Sequence, residues 1–449
     1  MRQDPSGTPD TGWPAPRYAW YVVSVLMVAY AFAFVDRIVL SLLVPFIQKD
    51  LGLNDTQMGL LGGLAFSVTY TLFGLPVGRM ADRMNRRNII AAGTAVWSLA
   101  TAACGLATSF WHLFWARVGV GVGEATLQPS ASSLISDYFP PETRPKAYGL
   151  FVMGTSLGTA AAFLLVGLII GAIEAARPVT AWMEGWRTWE LVFIIVGLPG
   201  LIVAALMVTV REPARRETGR RSAEAGVPLA EVARYLGANW RTFTAHHVGV
   251  MLTFLAVYGQ LLFMPAFFVR VHGWTPAEIG TAFGLVALTA GASSAIVSGW
   301  FAAWMTRRGR QDATLTVCLI GAIGVCLPGA IAPFMPTGEL ALLLFAVSAL
   351  FANWPSVGAL SAINQVVPNP MRAQVTALYT LVVGLLAAGL GPLVVGFLTD
   401  SVFQDRMLVG ASIGTTFAVC GTLAALILAW GLGPFRRTAA AARAWQAAE

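Results

Sequence analysis

Charge is scarce in this sequence. Acidic and basic residues together fill 11% of 449 positions, against 57% that are hydrophobic, whereas a soluble fold carries roughly a quarter of its residues charged. That excludes a large water-soluble domain. Lysine is nearly absent: it occurs at Lys49 and Lys146, and arginine supplies the rest of a formal net charge of +7. A basic balance can mark a phosphate-binding surface. Here, however, the arginines sit in short loops between apolar runs, as the enrichment of basic residues in cytoplasmic loops predicts, so no nucleic-acid partner is expected. The four cysteines, Cys104, Cys318, Cys326 and Cys420, all fall inside apolar runs. They fit neither a disulfide framework nor a zinc spacing, and no metal site or resident cofactor is expected. A phosphate-binding loop of the form G-x-x-x-x-G-K-[ST] is missing, which disfavours ATP-driven work. No nucleophile–base cluster suggests an enzyme.

What the chain has instead is long apolar runs. Residues 18–35, 88–107, 191–210 and 408–433 are each long enough for a hydrocarbon core of roughly 30 Å at 1.5 Å per residue. Hydropathy and Gly/Pro/charge punctuation predict helices near 19–47, 56–81, 88–107, 110–137, 145–173 and 188–210. A second set follows near 242–270, 275–305, 312–334, 339–366, 371–399 and 407–434. The expectation is an all-α membrane protein with twelve transmembrane helices. Residues 1–18 read as a polar tail without a cleavable signal, 19–210 as a six-helix bundle, 211–241 as a linker rich in arginine (Arg211, Arg215, Arg216, Arg220, Arg221, Arg234), 242–434 as a second bundle and 435–449 as a tail. Arginines at 79–87, Arg144, the linker, 307–310, Arg372 and 436–437 all fall on one side, which places both termini in the cytoplasm of a cell whose inner membrane holds the chain.

The halves repeat. Gly52-Leu-Asn-Asp-Thr-Gln-Met-Gly59 matches Gly273-Trp-Thr-Pro-Ala-Glu-Ile-Gly280, each opening a helix with a capping box, Asn54 with Gln57 and Thr275 with Glu278. Gly78 followed by Arg86-Arg87 matches Gly299 followed by Arg307-Arg308, and Pro140 with Arg144 matches Pro368 with Arg372. Three matches in order argue for a duplication with parallel topology, which puts a substrate site between the halves near the midplane.

Four charges interrupt apolar helices: Asp36 and Arg37 in the first, Arg117 and Glu124 in the fourth. A charge at the bilayer centre costs about 2.5–3.5 kcal/mol on insertion scales, so such residues point to function and to a partner. Arg117, Gly121, Glu124 and Gln128 share one helix face. Buried ion pairs are poor stabilisers, although they can serve packing alone. A carboxylate whose protonation breaks a pair with arginine is the simplest proton switch, which makes Asp36 the first candidate and Glu124 the second. The second half offers neutral groups instead, with Tyr258, Gln260, Asn353 and Tyr379 as cavity candidates. An ionic wall facing an aromatic-apolar wall suits an amphipathic substrate. His246-His247, at the start of the seventh helix, is expected at the membrane interface.

Two sets of motifs resemble known families. Gly78-Arg-Met-Ala-Asp82-Arg83-Met-Asn-Arg86-Arg87 resembles the major facilitator superfamily signature G-x-x-x-D-R-x-x-R-R. That resemblance implies the major facilitator fold, with two pseudo-symmetric six-helix bundles, and a gating latch between the halves at Gly78, Asp82, Arg83, Arg86 and Arg87. The second copy has Ala303 and Trp304 in place of the Asp-Arg pair. Phe34-Val-Asp36-Arg37, the glycine-rich run 117–124 and Ser136-Asp137-Tyr138-Phe139-Pro140 resemble the spinster subfamily, whose members include lysolipid and sphingoid-phosphate exporters. The resemblance implies proton coupling through Asp36, Glu124, Arg37 and Arg117. The resulting expectation is a monomeric, proton-coupled carrier working by alternating access on an amphipathic, lipid-like substrate, driven by a proton gradient. An organic anion:proton symporter, and an uncoupled scramblase or channel, are the alternatives.

Overall fold

The computed structural model describes residues 13–215 and 227–446; Arg216, Arg220 and Arg221 of the expected linker, and residues 1–12 of the expected N-terminal tail, lie outside them. Among the described residues, ten helical segments are long and apolar enough to cross a membrane. In the first half these are α1 (Pro16–Leu51), α2 (Asp55–Arg83), α5 (Arg144–Val179) and α6 (Thr188–Val208). In the second they are α7 (Trp240–His272), α8 (Pro276–Arg307), α9 (Ala313–Phe334), α10 (Gly338–Val366), α11 (Asn369–Phe403) and α12 (Arg406–Arg443). Between α2 and α5 lie α3 (Arg86–Cys104) and α4, which is built from Phe110–Glu124 and Leu127–Tyr138. A shorter linker helix, Leu229–Ala238, precedes α7. The last helix runs on to Gln446, past the expected end near 434.

Local chemistry explains the boundaries. Gly52 and Gly273 end α1 and α7 in the left-handed region, φ 67° and 68°, which a residue with a Cβ adopts only at a cost. The expected capping boxes follow: Asn54 and Gln57 open α2, Thr275 and Glu278 open α8. The Pro-x-x-x-Arg repeat also has a job. Arg144 folds back on the Ser136 carbonyl (2.9 Å) at the end of α4, and Arg372 on the Val367 carbonyl (2.9 Å) at the end of α10. A guanidinium there satisfies orphan carbonyls and complements the helix dipole.

Four helices expected to be continuous are interrupted: α2 at Gly63 and α6 at Leu198 and Pro199, and α4 and α10 at two-residue breaks. α4 stops at Glu124 and restarts at Leu127, and α10 breaks between Phe351 and Trp354. Pro129 and Pro355 lack the N–H, and their rings oppose the carbonyls of Ala125 and Phe351 four residues earlier. α8 and α11 widen into π turns at Ala287–Gly291 and Val382–Ala387.

The halves meet through α2 against α11, α5 against α8 and α1 against α7. The tightest approaches lie at the end away from the arginine-rich loops. A Cβ on Gly63 would come within 2.3 Å of the Gly389 carbonyl, and one on Gly280 within 2.4 Å of the Phe163 carbonyl. Toward the basic end the halves part, and nothing comes within 4 Å of the Cβ position at Gly74, Gly78, Gly149 or Gly299.

Candidate functional site

The four interior charges converge, but crosswise. Arg37 lies midway along α1, and its Nε donates to Glu124 Oε2 on α4 at 2.6 Å, with Glu124 fully buried and the arginine side chain 24% exposed. Arg117 Nη1 donates to the backbone carbonyl of Asp36 at 3.2 Å. Asp36 Oδ1, Glu124 Oε1 and Arg117 Nε are buried without a hydrogen bond. Unsatisfied buried polar atoms cost about 1–3 kcal/mol each, so stability alone does not account for this cluster. Aromatic rings lie close to both cations. The Arg37 guanidinium lies 4.9 Å from the Phe34 and Phe66 ring centres and 4.7 Å from Tyr70, with Arg117 5.5 Å from Phe66, distances at which a desolvated cation is attracted to the ring face.

The break in α4 positions Glu124. It is the last residue before the interruption, so its helix face continues from Arg117 while the following turn is free to diverge. The glycine at 121 lets α2 come close: a Cβ there would lie 2.7 Å from the Phe66 carbonyl.

Beside the cluster lies a chamber with two lobes. A lobe of about 170 Å³ is lined by Arg37, Arg117, Ser41, Ser67 and Tyr70 among others. A larger lobe of about 390 Å³ reaches between α5, α7, α8 and α10, past Gln260, Phe283, Phe345 and Asn353. Phe34, Thr159, Tyr258 and Leu261 border both. Of the cavity candidates, Tyr258, Gln260 and Asn353 therefore line this chamber. Gln128 instead accepts from the Tyr70 hydroxyl at 3.1 Å. Tyr379 packs against His246 and His247, ring centres 5.3 and 5.9 Å away. That histidine pair is buried inside the second half rather than interfacial, with His246 Nε2 2.9 Å from the Ala359 carbonyl.

The signature loop is tied to its own half. Arg86 is buried and pairs with Asp137 and, at 2.6 Å, with Glu212. The Arg87 amide donates to Glu212 Oε2 at 3.1 Å. Arg215, just beyond α6, donates to the carbonyls of Ala81 (2.9 Å), Met84 (2.7 Å) and Asp82. Arg83 is exposed, and the space beside Gly78 is open. Asp137 and Glu212 are partners that the signature itself does not include.

At the opposite end a polar clasp joins the halves. Arg270 of α7 grips Asp55 bidentately at 2.8 and 2.9 Å and also donates to Gln48. Asp400 of α11 accepts from the Thr56 amide (2.6 Å), its hydroxyl (2.6 Å) and the Asp55 amide (3.2 Å), so it caps the first turn of α2 from across the interface. The sequence signal for this clasp was present, as Asp55 opens the first copy of the repeated helix start and Arg270 is one of the few cations on that side.

The family profile of the Major Facilitator Superfamily matches residues 26–392. An MFS-type efflux pump of Mycolicibacterium smegmatis is 28% identical over 87% of this chain and 86% of its own length. A probable L-galactonate transporter of Escherichia coli is 24% identical over 85% and 83%. A solved bacterial homolog of the human lysosomal transporter spinster, inward-facing and unoccupied, superposes with a TM-score of 0.77 at 26% identity, covering 95% of this chain and 98% of that one. With two broken-helix bundles, interior charges on α1 and α4 and a chamber between the halves, the chain belongs to the Major Facilitator Superfamily and is a multi-pass membrane transporter resembling the spinster proteins.

Proposed function

We propose that this transporter is a proton-coupled carrier of an amphipathic, lipid-like substrate, acting as a monomer by alternating access. The observation that carries this reading is the Arg37–Glu124 pair at the chamber wall, with the buried Asp36 carboxyl beside it. Protonating either acid removes a charge that the arginines balance and changes how α1 and α4 pack. One charge moving through 100 mV is worth about 2.3 kcal/mol, enough to shift a balanced two-state equilibrium more than tenfold. The basic end faces the cytoplasm of the inner membrane by the positive-inside rule, so the conformation described here is open inward, with both termini on that side. The membership of Arg37 in the small lobe supports headgroup binding there, and the apolar lining of the large lobe supports a greasy body.

A second reading is an organic anion:proton symporter. The partial exposure of Arg37 and the L-galactonate relative favour it.

Purified protein in liposomes distinguishes these. Under an imposed pH gradient, a radiolabelled single-chain phospholipid should accumulate, and Asp36→Asn should lower the driven component at least tenfold. Gradient-independent flux that survives Asp36→Asn sinks proton coupling and leaves a scramblase or channel. Galactonate accumulation without lipid movement selects the symporter.

A further inference from the structure

The two lobes differ in their hydrogen-bonding chemistry. In the small lobe the polar groups include the Arg37 and Arg117 guanidiniums, which only donate. The large lobe differs. Thr155 and Thr159 spend their hydroxyl protons on the carbonyls of Val152 (2.9 Å) and Thr155 (2.8 Å), and Ser348 spends its proton on Val325 (2.9 Å). What these side chains present to the cavity is lone pairs.

Asn353 fits the same rule and is held to it. It sits in the break of α10, where the chain leaves the helical ladder. Its side-chain Nδ2 donates to the Gly291 carbonyl at 3.0 Å, at the end of the π turn of α8, and its backbone N–H donates to the buried Ser294 hydroxyl at 3.0 Å. An amide that turned over would set its oxygen against the Gly291 carbonyl, so the orientation is fixed by its neighbours. Oδ1 is left facing the large lobe, and no side chain or backbone group among the described residues bonds it.

We infer that Asn353 is a specificity residue: its Oδ1 accepts a hydrogen bond from a donor group, a hydroxyl or a primary ammonium, carried by the substrate in the large lobe. This deepens the proposed function and rests on the same chamber being the substrate site. It narrows the substrate to an amphiphile with an acceptor or anionic group for the small lobe and a donor further along. A compound with no donor leaves the Asn353 oxygen desolvated and unpaired, which is how a polar site rejects a near-isostere.

Binding, measured without any proton gradient, separates this inference from the coupling mechanism. Isothermal titration of the purified protein would compare a single-chain phospholipid bearing a primary ammonium with its trimethylammonium analogue, which cannot donate. The ammonium compound should bind roughly tenfold tighter, the scale of one hydrogen bond with a charged donor. Asn353→Leu should bring the two within about twofold by loss of that bond. Asn353→Ala, which removes the acceptor without adding an apolar branch in the break of α10, should level the preference as well and stands in if the leucine variant does not fold. Equal affinities in the unaltered protein, binding of neither compound, or a preference undiminished in Asn353→Leu overturns the inference. Failure of proton coupling appears only in the flux assay and leaves this result unaffected.

Discussion

At the scale of single residues, the interior charges were legible because insertion into a bilayer makes them expensive and therefore conspicuous. Their pairing was not. Asp36 and Arg37 adjoin in sequence, but adjacent residues on a helix point about 100° apart, so the acid that meets Arg37 comes from another helix. Only the packing of α1 on α4 decides that it is Glu124. A charge outside the bilayer behaves more simply. Burial of Asp312 would raise its pKa, but hydrogen bonds from Arg310 (3.1 Å) and Arg436 (2.7 Å) outweigh it and hold the carboxyl below the usual range. A depressed carboxylate contributes stability that is complete above its unfolded value of about 4 and disappears as pH falls through the folded one. Hydrogen-exchange protection of amides 436–443 should accordingly hold near pH 6 and fall below about pH 4. Asp312→Asn should show the reduced protection already at about pH 6; protection that is indifferent to both changes refutes the role of this ion pair.

At the scale of elements, helix starts were the best-read features. Capping boxes and terminal glycines act locally, so the sequence around residues 54–57 and 275–278 carries what they need. The breaks in α4 and α10 were also written locally, in Pro129 and Pro355, but hydropathy averaged over a span hides a two-residue interruption. The prolines matter because they interrupt α4 just after Glu124 and α10 at Asn353, which brings a charged group to one break and a neutral amide to the other. The π turns had no sequence signal of comparable strength. A cluster such as His246, His247 and Tyr379 was misjudged for a related reason: position near a helix start suggests an interface, while α10 and α11 pack over the pair and bury it.

At the scale of the whole molecule, the twelve-helix architecture followed from composition and repeat spacing, whereas its conformation did not. Which end is closed depends on contacts between residues more than 200 positions apart, such as Arg270 with Asp55. Neutralising that clasp should favour opening at its own end. In Arg270→Gln, spin-label distances across the basic end should shorten and those across the opposite end lengthen, with populations moving roughly tenfold for the loss of one charged, hydrogen-bonded pair. Distance distributions identical to those of the unaltered protein would count against the clasp as a gate. The charge pattern at the basic end adds an asymmetry: Arg86 meets Glu212 in the first half, while Asp312 meets Arg436 in the second. Signs are exchanged between copies, so each half recognises its own flanking segment.

The anchoring of the linker at its two ends makes the peptide bond joining the halves dispensable. Arg215 is fastened to the end of α2, and on the far side Gln374 Nε2 binds the Val227 carbonyl at 2.8 Å while Tyr235 bonds the Val366 carbonyl. Each half thus keeps its own stub, and the surfaces of α2, α5, α8 and α11 provide the recognition. Two polypeptides made separately, 1–220 and 221–449, should find one another in the membrane, co-purify through a tag on either, and restore gradient-driven uptake that neither supports alone. Fragments that fail to associate would mean that this bipartite machine needs its tether to assemble.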